Sequence, residues 1–198
     1  MSPGKGMEYV IEALPEIVRQ CPEAIFVIVG QTHPDVLRRN GEAYRDSLTA
    51  KAHELGVADH LLYVNEYLPL DRLLEYYEAC DIYLTPHLDP QQVASGTLAY
   101  ALGMGKACVS TKYIYANEML KDGRGVLVDF KNSSQIAEAS LHILMDSSYQ
   151  NELERKAYTL GRKMSWPRVA ERYLNLFRLT LDAQDEVMAD FKRNKLTV

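Results

Sequence analysis

The sequence has little of what marks metal-binding, membrane-spanning or secreted proteins. Its 198 residues contain three cysteines, an odd number without metal-ligand spacing, so we expect reduced thiols in the core. No window approaches the roughly 18 consecutive apolar residues of a membrane span. The N-terminus also lacks the charged-then-apolar layout of a signal peptide, which predicts a cytoplasmic protein and leaves peripheral membrane association open.

An excess of positive charge is also lacking. Lys and Arg number 22 against 27 Asp and Glu, which gives a formal net charge of -5. This balance argues against a nucleic-acid binder, and any anionic ligand would have to be held by a few local residues. The 47% hydrophobic content suffices for the core of one domain, or of one domain with a helical extension.

Helical and extended patterns alternate along the chain. Apolar residues repeat at helical spacing between positions 7 and 18, and the apolar run Ala24–Val29 then predicts a strand buried on both faces. Further strands are predicted at 61–64, 82–85, 107–110 and 125–129. Asn132 is predicted to cap the first of three C-terminal helices, and the chain ends in a polar tail.

Strands separated by helices in this way pair in parallel through right-handed crossovers. The pattern therefore predicts an α/β fold, a doubly wound (Rossmann-like) parallel sheet in a three-layer sandwich with C-terminal helices. We expect one domain at residues 1–180 and a helical tail at residues 181–198.

Ligands in such sheets bind beyond the carboxyl ends of the strands. This rule selects the segments 30–34, 65–68, 86–97 and 111–118. His33 and His87 fall in them, so either could contact a bound ligand, but we interpret both as exposed loop histidines and assign neither a catalytic role. Aromatic residues elsewhere are interpreted as core, namely Trp166, Tyr76, Tyr77 and Tyr83.

Two helix starts could bind a phosphate. The turn Ser2–Gly6 leads into a helix and offers backbone N–H groups and a lysine, although a solvated helix start is the simpler interpretation. Ser95, Gly96 and Thr97 open another helix at the ligand edge, where the alternative is an ordinary serine N-cap. Gly96 costs about 1 kcal/mol relative to alanine in a helix, which suggests a close approach by another group.

The order of motifs from Lys5 to about Leu176 resembles the C-terminal, donor-binding domain of retaining GT-B "group 1" glycosyltransferases. That family uses nucleotide-sugar donors. The matching motifs are Lys5-Gly6, Val29-Gly30, Tyr100–Val109, Glu118, Asp122-Gly123, Gly125–Val128 and Ser165-Trp166. The motifs are specific together and weak one by one.

The resemblance implies a donor-binding site. Lys5 would contact the donor diphosphate, and the amides of Gly96 and Thr97, after Ser95, would bind its distal phosphate. Gly30 would let the donor approach. Neither a metal nor another cofactor is expected, and no catalytic residue is assigned.

Two departures separate the chain from that family. Gln92 stands where the family has a glutamate near the transferred sugar, and Tyr100 stands where it has the glutamate that binds the ribose. Both side chains can form hydrogen bonds without the negative charge. The family's first strand and its phosphate-binding arginine would precede Met1, so a gap is expected in the middle of the sheet.

The implied reaction is transfer of a sugar from a nucleoside diphosphate sugar to an acceptor hydroxyl, with retention. An N-terminal domain would supply the acceptor site, so we expect this chain alone to be inactive, and an open sheet favours a homodimer. Two alternatives stay open: a GT-B nucleotide-sugar epimerase, and a truncated, non-catalytic nucleotide-binding module. The nucleotide, the sugar and the acceptor are not assigned.

Overall fold

A computed structural model describes the backbone of residues 1–195 and the side chains of residues 1–184. The chain forms two compact units, Met1–Gly161 and Arg162–Val198. Among the described residues, no helix combines the length and the apolar character that a membrane span requires. The division into a domain of residues 1–180 and a tail of residues 181–198 stays a prediction.

Helices and short strands alternate, as expected for an α/β fold. The strands are β1 (Phe26–Val29), β2 (Leu61–Val64), β3 (Ile82–Thr85), β4 (Ala107–Thr111) and β5 (Val126–Val128). The first six helices are α1 (Met7–Gln20), α2 (Pro34–Asn40), α3 (Ala43–Glu54), α4 (Leu70–Ala79), α5 (Gly96–Gly103) and α6 (Ile114–Leu120). They are followed by α7 (Ser133–Met145), α8 (Ser147–Lys163) and α9 (Trp166–Lys195).

The helix caps follow the local sequence. The side chain of Asn132 accepts a hydrogen bond from the backbone N–H of Gln135 at the start of α7, 3.0 Å away, which confirms the predicted cap. The N-cap of α1 is Gly6, whose φ of 67° lies in the left-handed region that favours glycine.

The strands form two separate parallel sheets. One has the order β1-β2, with Phe26 opposite Leu61, and the other has the order β3-β4-β5. Parallel pairing and flanking helices confirm the predicted doubly wound architecture. The break between the two sheets falls where the sequence predicts a missing strand.

Helix α1 packs against elements of both sheets. Val10, Ala13 and Ile17 belong to a buried cluster that includes residues of β4, β5 and α7. Ile11 and Leu14 belong to a second cluster that includes residues of β1 and α3. The two sheets therefore share one covering helix.

Burial differs strongly between β4 and β1. All five residues of β4 are buried, and alternate residues enter different clusters, Ala107 and Val109 on one face and Cys108 on the other. In β1 Ile28 is buried, whereas Val27 is 37% exposed. The prediction that 24–29 is buried on both faces is wrong, because α1 and α3 cover only the Ile28 face.

The predicted core aromatic and cysteine residues have mixed outcomes. Tyr77 is buried, but Trp166 is 85% exposed, so its interpretation as a core residue is wrong. Trp166 opens the long helix α9, whose described apolar side chains are largely exposed. Cys108 is a buried thiol, while Cys21 and Cys80 are only half-buried.

Candidate functional site

A short turn at the N-terminus docks against the loop that follows β3. The 3₁₀ turn Pro3–Lys5 presents the carbonyl of Gly4 to the backbone N–H of Leu88, 3.0 Å away. Gly6 lies so close to this loop that a Cβ atom would come within 2.1 Å of the carbonyl oxygen of Pro86. Glycine is therefore required here for the docking of the two backbone segments.

This docking places Lys5 against His87. The Lys5 Nζ lies 3.3 Å from His87 Nε2, and the other ring nitrogen, Nδ1, lies 2.7 Å from Gln92 Oε1. Gln92 in turn donates from Nε2 to the carbonyl of Ala94, 2.9 Å away. Two of the predicted donor-binding residues, Lys5 and Gln92, are thus joined through a histidine.

The histidine of this group is uncharged at neutral pH. His87 is only 4% exposed, and burial, reinforced by the positive charge of Lys5, lowers its pKa to about 4. Burial also lowers the pKa of Lys5. In the part of the chain with described side chains, Lys5 forms no ion pair with a carboxylate, so its charge is available to an anion.

The ends of β3 and β4 hold His87 in place. The Thr111 hydroxyl donates to the backbone carbonyl of His87, 2.6 Å away. The His87 ring stacks on Tyr113 with a centroid separation of 5.2 Å. The Tyr113 hydroxyl lies 3.3 Å from Thr85 Oγ1, which anchors the stacked ring to the end of β3.

The start of α5 is a serine-capped helix N-terminus, as both interpretations of the sequence require, and phosphate binding there stays a prediction. Ser95 is the N-cap, and its Oγ accepts from the backbone N–H of Leu98, 3.3 Å away. Gly96 and Thr97 are exposed and contribute first-turn N–H groups, which have no carbonyl partner within a helix. A Cβ atom at Gly96 would meet no other atom within 4 Å, so packing within the protein does not explain this glycine.

In the described residues, no hydrogen bond or ring contact joins Tyr100 or Gly30 to Lys5. The half-exposed Tyr100 ring lies 6.5 Å from the ring of Tyr77, whose hydroxyl donates to the Thr97 carbonyl. Gly30 follows β1 in the other sheet with a φ of 116°, and its N–H donates to Val64. A Cβ atom at Gly30 would also meet nothing within 4 Å.

The two ligand-edge histidines have different environments. His33 is exposed as predicted, and its ring accepts a hydrogen bond from the backbone N–H of Asp35 at the start of α2. The same interpretation is wrong for His87, because Tyr113 covers its ring. The sequence places His87 two residues after the end of the strand 82–85 and five residues before Gln92. This position at the ligand edge could have indicated its role.

Comparison with known proteins identifies the family. The family model described as "Glycosyl transferases group 1" matches residues 1–160. A phosphatidyl-myo-inositol mannosyltransferase of Mycolicibacterium smegmatis is 25% identical over 98% of this chain and 46% of that protein. A GDP-mannose-dependent phosphatidylinositol monomannoside mannosyltransferase of the same organism is 28% identical over 73% of this chain and 36% of that protein. The chain thus spans less than half the length of these relatives.

Solved structures share the fold. The C-terminal domain of a group 1 glycosyl transferase from Francisella tularensis superimposes with a TM-score of 0.70 at 22% identity, over 81% of this chain and 79% of that one. The Anabaena protein HepE in complex with UDP gives a TM-score of 0.74 at 20% identity, over 90% of this chain and 46% of that one. With a family model that covers most of its length, the chain belongs to the group 1 glycosyl transferases.

Proposed function

We propose that this chain is the donor-binding half of a glycosyltransferase that moves a sugar from a nucleoside diphosphate sugar to an acceptor hydroxyl with retention. The observation that carries the proposal is Lys5, a half-buried cation at the carboxyl ends of a parallel sheet, without a carboxylate partner in the described residues. Unpaired charge in such a place favours an anionic ligand.

The names of relatives and structural neighbours support a nucleotide donor. One relative is described as GDP-mannose-dependent, and HepE was crystallised with UDP. Both ligands carry a diphosphate, which is the group that a lysine and helix N-terminal amides bind. The base and the sugar of the donor for this chain are left unassigned.

The chemical role of the site is electrostatic. When the sugar leaves, negative charge grows on the diphosphate, and the Lys5 ammonium can stabilise it together with the amides of Gly96 and Thr97. Removal of water around a half-buried ammonium strengthens this interaction. The proposed reaction needs no metal ion. The Tyr100 side chain is proposed to contact the ribose of the donor.

Transfer is proposed for the whole protein and not for these residues alone. The chain spans 36% to 46% of the two mannosyltransferases, and a second half would supply the acceptor site. The family is one of transferases, which favours transfer over epimerisation. A non-catalytic nucleotide-binding module is the alternative that turnover by the longer protein would exclude.

Calorimetric titration with UDP and with GDP tests the donor site. We expect one nucleotide to bind, and Lys5→Ala to weaken it at least about tenfold, because a hydrogen bond to a charged group contributes about 1.5–3 kcal/mol. Lys121→Ala is the matched control, since Lys121 is an exposed lysine paired with Glu118. Binding should persist in EDTA.

Several results would contradict the proposal. Absence of binding to either nucleotide would remove the donor site. Equal losses in Lys5→Ala and Lys121→Ala would mean that only net charge matters. Loss of binding in EDTA would show that a metal ion is required.

A further inference from the structure

We propose that His87 is a positioning residue, a neutral hydrogen-bond acceptor with a fixed tautomer that holds the Lys5 ammonium in place for the donor diphosphate. The diphosphate in this inference rests on the proposed function. The tautomer and the contact between Lys5 and His87 do not, and they can be tested without a ligand.

The orientation of Gln92 determines the tautomer. Its Nε2 lies 2.9 Å from the carbonyl oxygen of Ala94, which can only accept a hydrogen bond. The amide oxygen of Gln92 is therefore the atom that lies 2.7 Å from His87 Nδ1. Because that oxygen can only accept, Nδ1 carries the ring proton.

The other ring nitrogen is then free to accept. With the proton on Nδ1, His87 Nε2 presents a lone pair to the Lys5 Nζ, 3.3 Å away. An ammonium can only donate, so the contact requires a neutral ring. The burial of His87, which lowers its pKa to about 4, keeps the ring in that state at neutral pH.

The ring is also fixed in orientation. Both nitrogens have partners, one face stacks on Tyr113, and the backbone carbonyl of His87 accepts from the Thr111 hydroxyl. Rotation of the ring would break at least two of these contacts. The histidine thus restrains the ammonium group of Lys5 before the ligand binds. Without it, ordering of the long lysine side chain would reduce the free energy of ligand binding.

A neutral acceptor suits a lysine that must bind an anion. A carboxylate in the place of His87 would neutralise Lys5 and compete with the diphosphate. By the same reasoning a glutamine at position 92 suits this arrangement, because a glutamate there would stabilise the imidazolium. The imidazolium could not accept from Lys5 and would repel it.

Nitrogen NMR of the ligand-free protein tests the tautomer. We expect one histidine with a protonated Nδ1 and an unprotonated Nε2 at pH 7, which stays neutral until the pH falls below about 5. His87→Gln assigns the signal by removing it. A proton on Nε2, or titration near the ordinary histidine value, would overturn the proposal.

Two variants at His87 test the link to Lys5. His87→Phe keeps a ring on Tyr113 but removes the acceptor, and we expect UDP or GDP affinity to fall about tenfold. His87→Gln places an amide oxygen near the position of Nε2, and we expect it to restore most of that affinity. Equal affinity of wild type and His87→Phe would overturn the role. Thermal unfolding of each variant identifies simple loss of folding.

Gln92→Glu supplies a pH readout. The charged and titratable groups that face His87 are Lys5, from the N-terminal turn, and Tyr113, from the loop after β4. The new carboxylate should raise the pKa of His87, so nucleotide affinity should fall as pH drops from 8 to 6 while the wild type changes little. Parallel pH profiles would overturn the proposal.

If the wild type binds neither nucleotide, the proposed function fails and the NMR tautomer alone decides the present inference.

Discussion

In the part of the chain with described side chains, helices enclose the sheet β3-β4-β5 on both faces but cover the sheet β1-β2 on only one. The cluster that includes Val109 holds residues of α1 and α7, and the cluster that includes Cys108 holds residues of α5 and α6. In the other sheet the paired residues Val27 and Leu62 are 37% and 50% exposed. The composition of a strand therefore does not determine its burial, which depends on the helices that the rest of the chain supplies.

The N-terminal segment joins the ends of the two sheets. The terminal amine of Met1 donates to the carbonyl of Gln31, and the N–H of His33 donates to the carbonyl of Met1, 2.8 Å away. This alternation is that of a parallel ladder beside the continuation of β1. Three residues later the Gly4 carbonyl binds Leu88 after β3. The segment that carries Lys5 is thus fixed by both sheets.

The largest expected effect contrasts a leucine of each sheet region. Leu120 is 1% exposed in the cluster beneath β4 and β5, and Leu120→Ala should lower the free energy of unfolding by about 3–4 kcal/mol. Leu62→Ala should cost less than about 1 kcal/mol, because half of that side chain already contacts water. Urea unfolding measures both. Equal losses would show that the Leu62 face is covered in solution.

The second contrast is between His33 after β1 and His87 after β3. The pKa of His87 lies at about 4 in the folded protein, against about 6.5 unfolded, so protons bind the unfolded chain more tightly. The contribution of the neutral His87 ring to the free energy of unfolding should be fully present above pH 6.5. It should fall by at most about 3 kcal/mol as the pH drops to 4. His87→Gln should flatten this part of the profile, and His33→Gln is the matched control at an exposed site. A wild-type profile that is flat from pH 6.5 to 4 would contradict the burial of His87.

The sequence was sufficient to predict the secondary structure elements and the sheet edge at which Lys5 and Gln92 meet. Periodicity and turn residues predicted every strand to within two residues. The two helix starts that contain Lys5 and Ser95 indicated the edge of the sheet at which the polar side chains lie. Local patterns could not reveal that Tyr113 covers His87, since 26 positions separate the two residues. They also could not reveal the exposure of Val27, because the helices that cover a sheet face are determined by the fold and not by the strand's own residues.

Gly6 gives the third contrast, because its neighbour Gly4 has room for a side chain. Gly6→Ala combines a φ of 67° with a Cβ atom 2.1 Å from the Pro86 carbonyl, so we expect a loss of about 2 kcal/mol. Nucleotide affinity should fall as well, because the docked turn positions Lys5. Gly4→Ala, with nothing within 4 Å of its Cβ atom, should change neither quantity. If both variants behave like wild type, the turn does not dock on the β3 loop.

The smallest effects contrast the two glycines that have open space at the ligand edge, Gly30 after β1 and Gly96 after β3. Gly30→Ala should destabilise the protein by about 1 kcal/mol, because a φ of 116° is rarely adopted by alanine. Gly96→Ala should instead stabilise it by about 0.5–1 kcal/mol, because alanine favours the helix and meets no neighbour. The same methyl group would occupy the space in front of the α5 amides and weaken UDP or GDP binding. If Gly96→Ala stabilises the protein and leaves nucleotide affinity unchanged, the phosphate does not bind at the start of α5. The proposed roles of Lys5 and His87 would not be affected by that result.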